Sequence, residues 1–362
     1  MEKRDKMSAR QLRVLTGISL LSPMIRQLSD MPARLAGQAS WLCPLFAAVP
    51  AVLYTILLSW FLRSRREGEG LCQLFCRSVG GFPGKLISSL FGAWSVFYCG
   101  VLLCSSAERL VASVYEYGGG LALIIVTLLS AALFASGKLT ALGRLAEAFL
   151  PVMAVALAVI LALSFSGISL QNLTPVSRAD LLTAALGGLA LSDFVSMQAD
   201  FAFLAGNVPP ENGEVKRRVG SVCLLMLCMF LLQTAVVGGL SADLAARLQF
   251  PFFVMVRNAP ALSGVDGFEA VAVALWVVTD LIFAAALLSV ASEIIRSVTG
   301  GEKREKFVVP ASAAALFCAV FLSGDAFRLR EMAETLLPAV NSVLKFGVLP
   351  LTLFIGKARK RL

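Results

Sequence analysis

The chain has 362 residues, 58% hydrophobic and only 15% charged, with a mean hydropathy of +0.81. Soluble domains carry about 25% charged residues, so this composition excludes one and indicates a polytopic membrane protein. The total lack of histidine removes the commonest general base and metal ligand, and the net charge of +9 has to be placed before it can be interpreted.

A bilayer-crossing helix needs about 20 mostly apolar residues, and ten candidates follow in chain order. The polar N-terminus, MEKRDKMSARQ, has no small-residue cleavage site and leads into a first span rather than a removable signal. That span, Val14 to Leu28, is short, interrupted at Ser22-Pro23 and carries Arg26. The second runs from Trp41 to Leu62. A basic loop and a short amphipathic piece, Leu71 to Val79, precede the third, Leu86 to Val114. The fourth and fifth are Leu121 to Ala135 and Ala146 to Phe165. The sixth, Leu181 to Ala205, contains Gly187-Gly188 and then Asp193. The remaining four are Val219 to Leu240, Phe268 to Val290, Val308 to Leu322 and Leu336 to Ile355.

Cytoplasmic loops are enriched in lysine and arginine. With both termini inside, 23 basic residues fall in cytoplasmic segments and 6 in external ones, with Arg26, Arg109 and Lys345 at membrane depth. An odd number of spans would scramble this alternation. The positive charge is therefore topology, not a nucleic-acid surface. The short runs KREK and KARKRL fit contact with membrane lipid. Six of the eight cysteines lie in apolar runs and read as small hydrophobes. Cys72 and Cys76 have no second pair to complete a zinc site.

Ten spans divide into halves of opposite orientation, residues 11–165 and 180–356, within a single membrane domain. Each half opens on an interrupted helix: Gly17, Ser22 and Pro23 in the first, Gly187 and Gly188 in the sixth. Such paired interruptions mark the midplane site of inverted-repeat transporters. Backbone donors around Gly17 to Ser19 and Gly187 to Leu189 suit a ligand carboxylate. Carbonyls at the breaks, with Ser22, Ser192 or Asp193, suit its ammonium. The competing reading of these small residues is helix packing.

Asp280 and Lys345 are ionisable at similar depth, and an unpaired charge there is costly. The economical arrangements are an Asp280–Lys345 tie or an Asp193–Lys345 tie; alternatively, a buried carboxylate takes up a proton in a transport cycle. Glu108 and Arg109, adjacent on the third span, point to different sides, with Glu108 lining an outer vestibule or reaching the interface. Arg26 and Asp30 have helical ion-pair spacing and suit an external gate. Asp200, seven residues past Asp193 on the same face, is a lower-pathway group or an end residue. Glu147 and Gln233 read as structural. Without histidine, a phosphate-cradling loop or a metal-ligand cluster, neither an enzyme nor a bound metal or cofactor is expected.

Several stretches together resemble the spore germination permease family, the integral-membrane B subunits of nutrient germinant receptors, within the amino acid–polyamine–organocation transporter superfamily. They are MSARQLRVLTGIS, AGQASWL, LCQLFCRSVGGFPGKLISSLFGAW, GRLAEAFLPV, NLTPV and FEAVAVALWVVTD. The charged SPMIRQLSDMP at the end of the first span and the reduced Phe268-Glu269 before the eighth depart from the family pattern. The resemblance implies a five-plus-five inverted-repeat fold with a ligand between the first and sixth spans. It also implies a complex with an A-type membrane subunit and a C-type lipoprotein in the spore inner membrane. The ligand would be an amino acid or similar small nutrient. An autonomous proton-coupled permease and a structural scaffold of a receptor stand as alternatives.

Overall fold

The protein is described by a computed structural model covering residues 6–27, 30–113, 119–211, 213–258 and 268–361; side chains at 26, 27, 30, 113, 268–271 and 326–328 also lie outside that description. The regular elements among the described residues are all helical, joined by short loops, with no strand among them.

The first span, α1 (Ala9–Gln27), is capped reciprocally by Ser8 and Gln11: each backbone N–H donates to the other's side chain at 3.1 Å. The short α2 (Asp30–Ala36) and a 3-10 turn (Gly37–Leu42) lead directly into the second span, α3 (Cys43–Arg63). The amphipathic α4 (Leu71–Val79) precedes the third span, α5 (Gly81–Ser113). At 1.5 Å per residue, α5 is about 50 Å long, beyond the ~30 Å hydrocarbon core, so it projects from the bilayer or tilts. The fourth and fifth spans are α6 (Gly120–Ser136) and α7 (Leu139–Phe165).

The sixth span begins as α8 (Arg178–Leu191), capped by Ser177 and Asp180. It changes to a 3-10 segment (Ser192–Met197), then α9 (Gln198–Ala202) and a second 3-10 segment (Phe203–Asn207). The seventh span is α10 (Glu214–Leu240). Two short external helices, α11 (Ala242–Arg247) and α12 (Pro251–Arg257), follow it. The eighth and ninth spans are α13 (Phe268–Thr299) and α14 (Val308–Leu322). The tenth is assembled from α15 (Ala326–Glu331), α16 (Leu337–Asn341) and α17 (Leu349–Ala358), joined by π-helical turns at Met332–Leu336 and Ser342–Val348.

Among the described residues, eight of these segments are long and apolar enough to cross a membrane on their own. The fourth is a shorter apolar helix, and α1 is diluted by Arg10, Arg13 and Arg26. The fold is thus an all-α, ten-helix membrane protein with a five-plus-five inverted repeat. Its packing carries that symmetry: α5 lies on α13 and α3 on α10, which pairs span three with eight and two with seven. The contact of the third span with the ninth (α5 with α14) recurs as the eighth with the fourth (α13 with α6). Large apolar side chains are exposed on the peripheral helices. Val126, Leu129 and Leu133 on α6, Val155 on α7, and Phe317 and Phe321 on α14 face outward, as a lipid-contacting surface requires.

The interruptions differ from expectation in position and kind. The first span stays α-helical through Gly17 and Ser22; its defect is Pro23, which has no N–H to return to the Ser19 carbonyl. In the sixth span the change falls at Ser192, after the paired glycines rather than at them.

Candidate functional site

Gly187 and Gly188 lie in regular helix against α3. A Cβ at 187 would stand 2.8 Å from the Cys43 sulfur, and one at 188 would stand 2.6 Å from the Cys43 carbonyl oxygen and the Phe46 Cβ. The glycines let two helix backbones approach closely, which gives them a packing role at this contact. The change of pitch begins instead at Ser192, whose hydroxyl donates to the Leu189 carbonyl at 2.7 Å. Such a side-chain bond competes with the α-helical ladder.

The neighbouring second span and the sixth span's own Gln198 supply donors that the altered backbone needs. Tyr54 Oη donates to the Ser196 carbonyl at 3.4 Å. Gln198 Nε2 donates to the Val195 carbonyl at 3.1 Å and to Thr55 Oγ1 at 3.0 Å. These groups are buried at bilayer depth, where an unmet backbone group costs several kcal/mol.

Asp193, the first carboxylate in the 3-10 segment, is buried and accepts from Asn341 Nδ2 at 3.0 Å. Asn341 Oδ1 in turn accepts from Trp94 Nε1 at 2.8 Å. This relay joins the third, tenth and sixth spans. Asn341 stands at the end of α16, immediately before a π-helical turn of the kind often found at functional positions.

Lys345, one turn further toward the cytoplasm, is fully buried and pairs with Asp200 Oδ2 at 2.7 Å, with Met197 Sδ beside its ammonium. Neither expected tie of Lys345 forms: its partner is neither Asp280 nor Asp193. The sixth and tenth spans run in parallel, so Asn341 meets Asp193, and the long lysine stem carries the charge down to the next carboxylate. Asp280 pairs with Arg109, buried at 4% exposure rather than reaching the interface. The contact of α5 with α13 brings Arg109, near the outer end of α5, to Asp280, well inside α13. Glu108 is half-buried on the other side of α5.

The remaining candidate positions fall on α1, which packs against α13 and the 3-10 segment. Ser19 and Ser22 share one face and are buried, and their hydroxyl oxygens have no hydrogen-bond partner within the described protein. The same holds for Ser196 Oγ and for Trp276 Nε1, one turn from Asp280 on α13. Trp276 is boxed by Phe252 and Phe253 of α12, with ring centroids 5.1 and 6.3 Å away. Gly17 borders open space, in a cavity of about 30 Å³ with Gln198, Phe201 and Ala202. The side chains of Arg26 and Asp30, expected as an external gate, lie outside the described residues. On that face, Arg34 of α2 bridges to Glu334 of the tenth span at 3.0 Å.

On the cytoplasmic face, the Met7 N–H donates to the Asn207 carbonyl at 3.0 Å, and Arg13 pairs with Glu211 at 3.4 Å. Arg65 donates to the Ala205 carbonyl, and burial pushes its guanidinium below the usual arginine value. Beside these contacts lies a recess of about 480 Å³, lined by Arg63, Arg65, Glu211, Glu214 and Arg218. Glu147, expected to be structural, ties α7 to α1 through Arg10 and Gln11. Among the described residues, no cluster of three or more histidine, cysteine or acidic side chains is placed to hold a metal ion.

Sequence reasoning missed Trp94, Asn341, Gln198 and Arg109 as parts of the buried polar contacts. Asn341 and Gln198 were detectable as amides within apolar spans, but nothing in spacing alone pairs them across the fold.

A family model described as "Spore germination protein" matches residues 6–327. No curated protein matches the chain. Among solved structures, the chain is similar to MhsT in complex with L-phenylalanine, with a TM-score of 0.70 and 13% identity over 97% of this chain and 88% of the other. It is also similar to Mhp1, a nucleobase-cation-symport-1 family transporter in a closed conformation with bromovinylhydantoin bound. There the TM-score is 0.71 and the identity 11%, over 98% of this chain and 80% of the other.

Proposed function

The chain belongs to the spore germination protein family, and from that premise we propose that it is the germinant-sensing membrane subunit of a spore germination receptor. The ligand is an amino acid or similar small nutrient, held between the first and sixth spans. Its receptor partners are an A-type membrane subunit and a C-type lipoprotein in the spore inner membrane. The chain binds rather than catalyses.

One observation carries the reading: a buried carboxylate, Asp193, at the change of helical pitch, held by the Asn341–Trp94 relay. A zwitterionic ligand needs an acceptor for its ammonium, which Asp193 offers. It also needs donors for its carboxylate, and the buried hydroxyls of Ser19, Ser22 and Ser196 are uncommitted within the described protein. A few placed polar groups inside an apolar cavity are the usual composition of a small-molecule site.

The test is equilibrium binding of a panel of amino acids to the purified chain, repeated with Asp193→Asn. Binding of at least one amino acid, weakened by the substitution, supports the proposal. Binding of none, or binding indifferent to Asp193→Asn, refutes it. The autonomous permease reading draws on the cytoplasmic recess beside Glu211 and Arg218, which suits release into the cell. Uptake of labelled amino acid into proteoliposomes holding this chain alone would favour it over the receptor. A scaffold role fails if Asp193→Asn abolishes the germinant response while receptor assembly persists.

A further inference from the structure

A second recess opens on the lipid-facing side, away from the Asp193 relay. It is an apolar groove of about 530 Å³ between α1, α7 and α10, whose walls include Ile18, Leu21, Leu157, Leu161 and Leu225. Leu150, Ala154 and Leu224 along its edges are exposed, so the groove faces the hydrocarbon rather than another part of the protein. Gly17 forms part of its floor, and a Cβ built there meets nothing within 4 Å. Gly17 also borders the small cavity that reaches Gln198 and Phe201 of the sixth span.

The cytoplasmic mouth of the groove is basic. Arg10 and Arg13 line it. Arg10 keeps three quarters of its side chain exposed, while one nitrogen approaches Glu147 at 3.3 Å. Arg144, three residues before Glu147 on α7, is exposed, and Arg217 shares Glu211 with Arg13. Among the described residues, these four guanidiniums against two carboxylates leave a positive rim at the depth where an anionic headgroup sits. Recessed hydrocarbon lining below a cationic rim is the chemical outline of a phospholipid.

We propose that this groove is a specific site for an anionic phospholipid, with one acyl chain seated against Gly17 and the headgroup held by Arg10 and its neighbours. The lipid would then touch the wall of α1 whose opposite side borders the broken sixth span. The site is separate from the nutrient cavity and stands whether or not that cavity binds an amino acid.

The test uses the full-length chain in detergent and a phosphatidylglycerol bearing a photoactivatable diazirine on one acyl chain. Labelled peptides are mapped by mass spectrometry. Adducts should concentrate at residues 150–161 and 221–228, and unlabelled phosphatidylglycerol should compete better than phosphatidylethanolamine. Gly17→Leu should weaken labelling about tenfold, the effect of displacing roughly two buried methylenes. Ala158→Leu, from the opposite wall, provides the same readout if Gly17→Leu does not fold. Arg10→Gln should narrow the preference for the anionic lipid while leaving the mapped positions unchanged. Adducts spread evenly over α6, α7 and α14 would overturn the proposal. So would labelling unchanged by both groove-filling variants, or equal competition by the two lipids.

Discussion

Replacing Lys345 with methionine removes the ammonium and leaves the Asp200 carboxylate buried without its counter-charge. The two side chains are 0% and 1% exposed, and their charged atoms are 2.7 Å apart. At an effective dielectric of 20, that separation gives a gross attraction of about 6 kcal/mol. Much of it offsets desolvation, so the pair's net contribution is small; breaking it is what costs, at roughly 3–5 kcal/mol. Asp200→Asn, which strands the lysine instead, should be destabilising on a similar scale. The double variant, Asp200→Asn with Lys345→Met, leaves neither charge of the pair and should recover most of the loss. Thermal unfolding of the four purified proteins in one detergent measures the cycle. If Lys345→Met unfolds at the wild-type temperature, or the double variant is as damaged as the two singles added together, the pairing argument is wrong.

Three further outcomes follow from the same contacts. Gly188→Ala should destabilise by about 1–3 kcal/mol, because its Cβ would strike the Cys43 carbonyl and Phe46, whereas Gly17→Ala should be nearly neutral in the open space around it; thermal unfolding separates them. Asn341→Leu removes the donor to Asp193 and should weaken amino-acid binding about tenfold or more, the worth of a hydrogen bond to a charged group, as read by titration of the purified chain. The Cys72 thiol on the amphipathic α4 is pushed up to about 11 by burial. Since the thiolate is the reactive form, Cys72 should resist iodoacetamide at neutral pH and label faster only as the pH rises toward that value, a rate that mass spectrometry follows; rapid labelling at pH 7 would contradict the burial of α4.

The fold was legible because membrane topology is written in two signals the chain carries plainly: apolar length and the side on which arginine and lysine fall. Those signals say nothing about helix pitch. The pair Gly187-Gly188 read as a break because glycine weakens a helix, yet the structure uses both to bring α8 against Cys43 and Phe46. The break formed at Ser192, where a hydroxyl can take over a backbone carbonyl and where Tyr54 and Gln198 cover freed carbonyls, with Thr55 holding the Gln198 amide. Tyr54 and Thr55 are far from that break in sequence. Charge pairing was misjudged for a related reason. Depth along a span is readable from the sequence, but which face meets which neighbour is not, and that decided Asp280 for Arg109 and Lys345 for Asp200.

The two buried ion pairs narrow what the proposed nutrient site can offer a ligand. Arg109–Asp280 ties the third span to the eighth near the external side, and Lys345–Asp200 ties the tenth to the sixth nearer the cytoplasm. Each of those carboxylates has a cation at contact distance, so a ligand ammonium competing for either would have to displace it. Asp193 accepts from the neutral amide of Asn341, backed by Trp94. An ionised carboxylate has about four acceptor sites, so an ammonium can be added beside the Asn341 amide that holds Asp193 in place. Two of the carboxylates tie spans together, and on the proposed reading the carboxylate held by the amide relay is the one that receives a ligand ammonium.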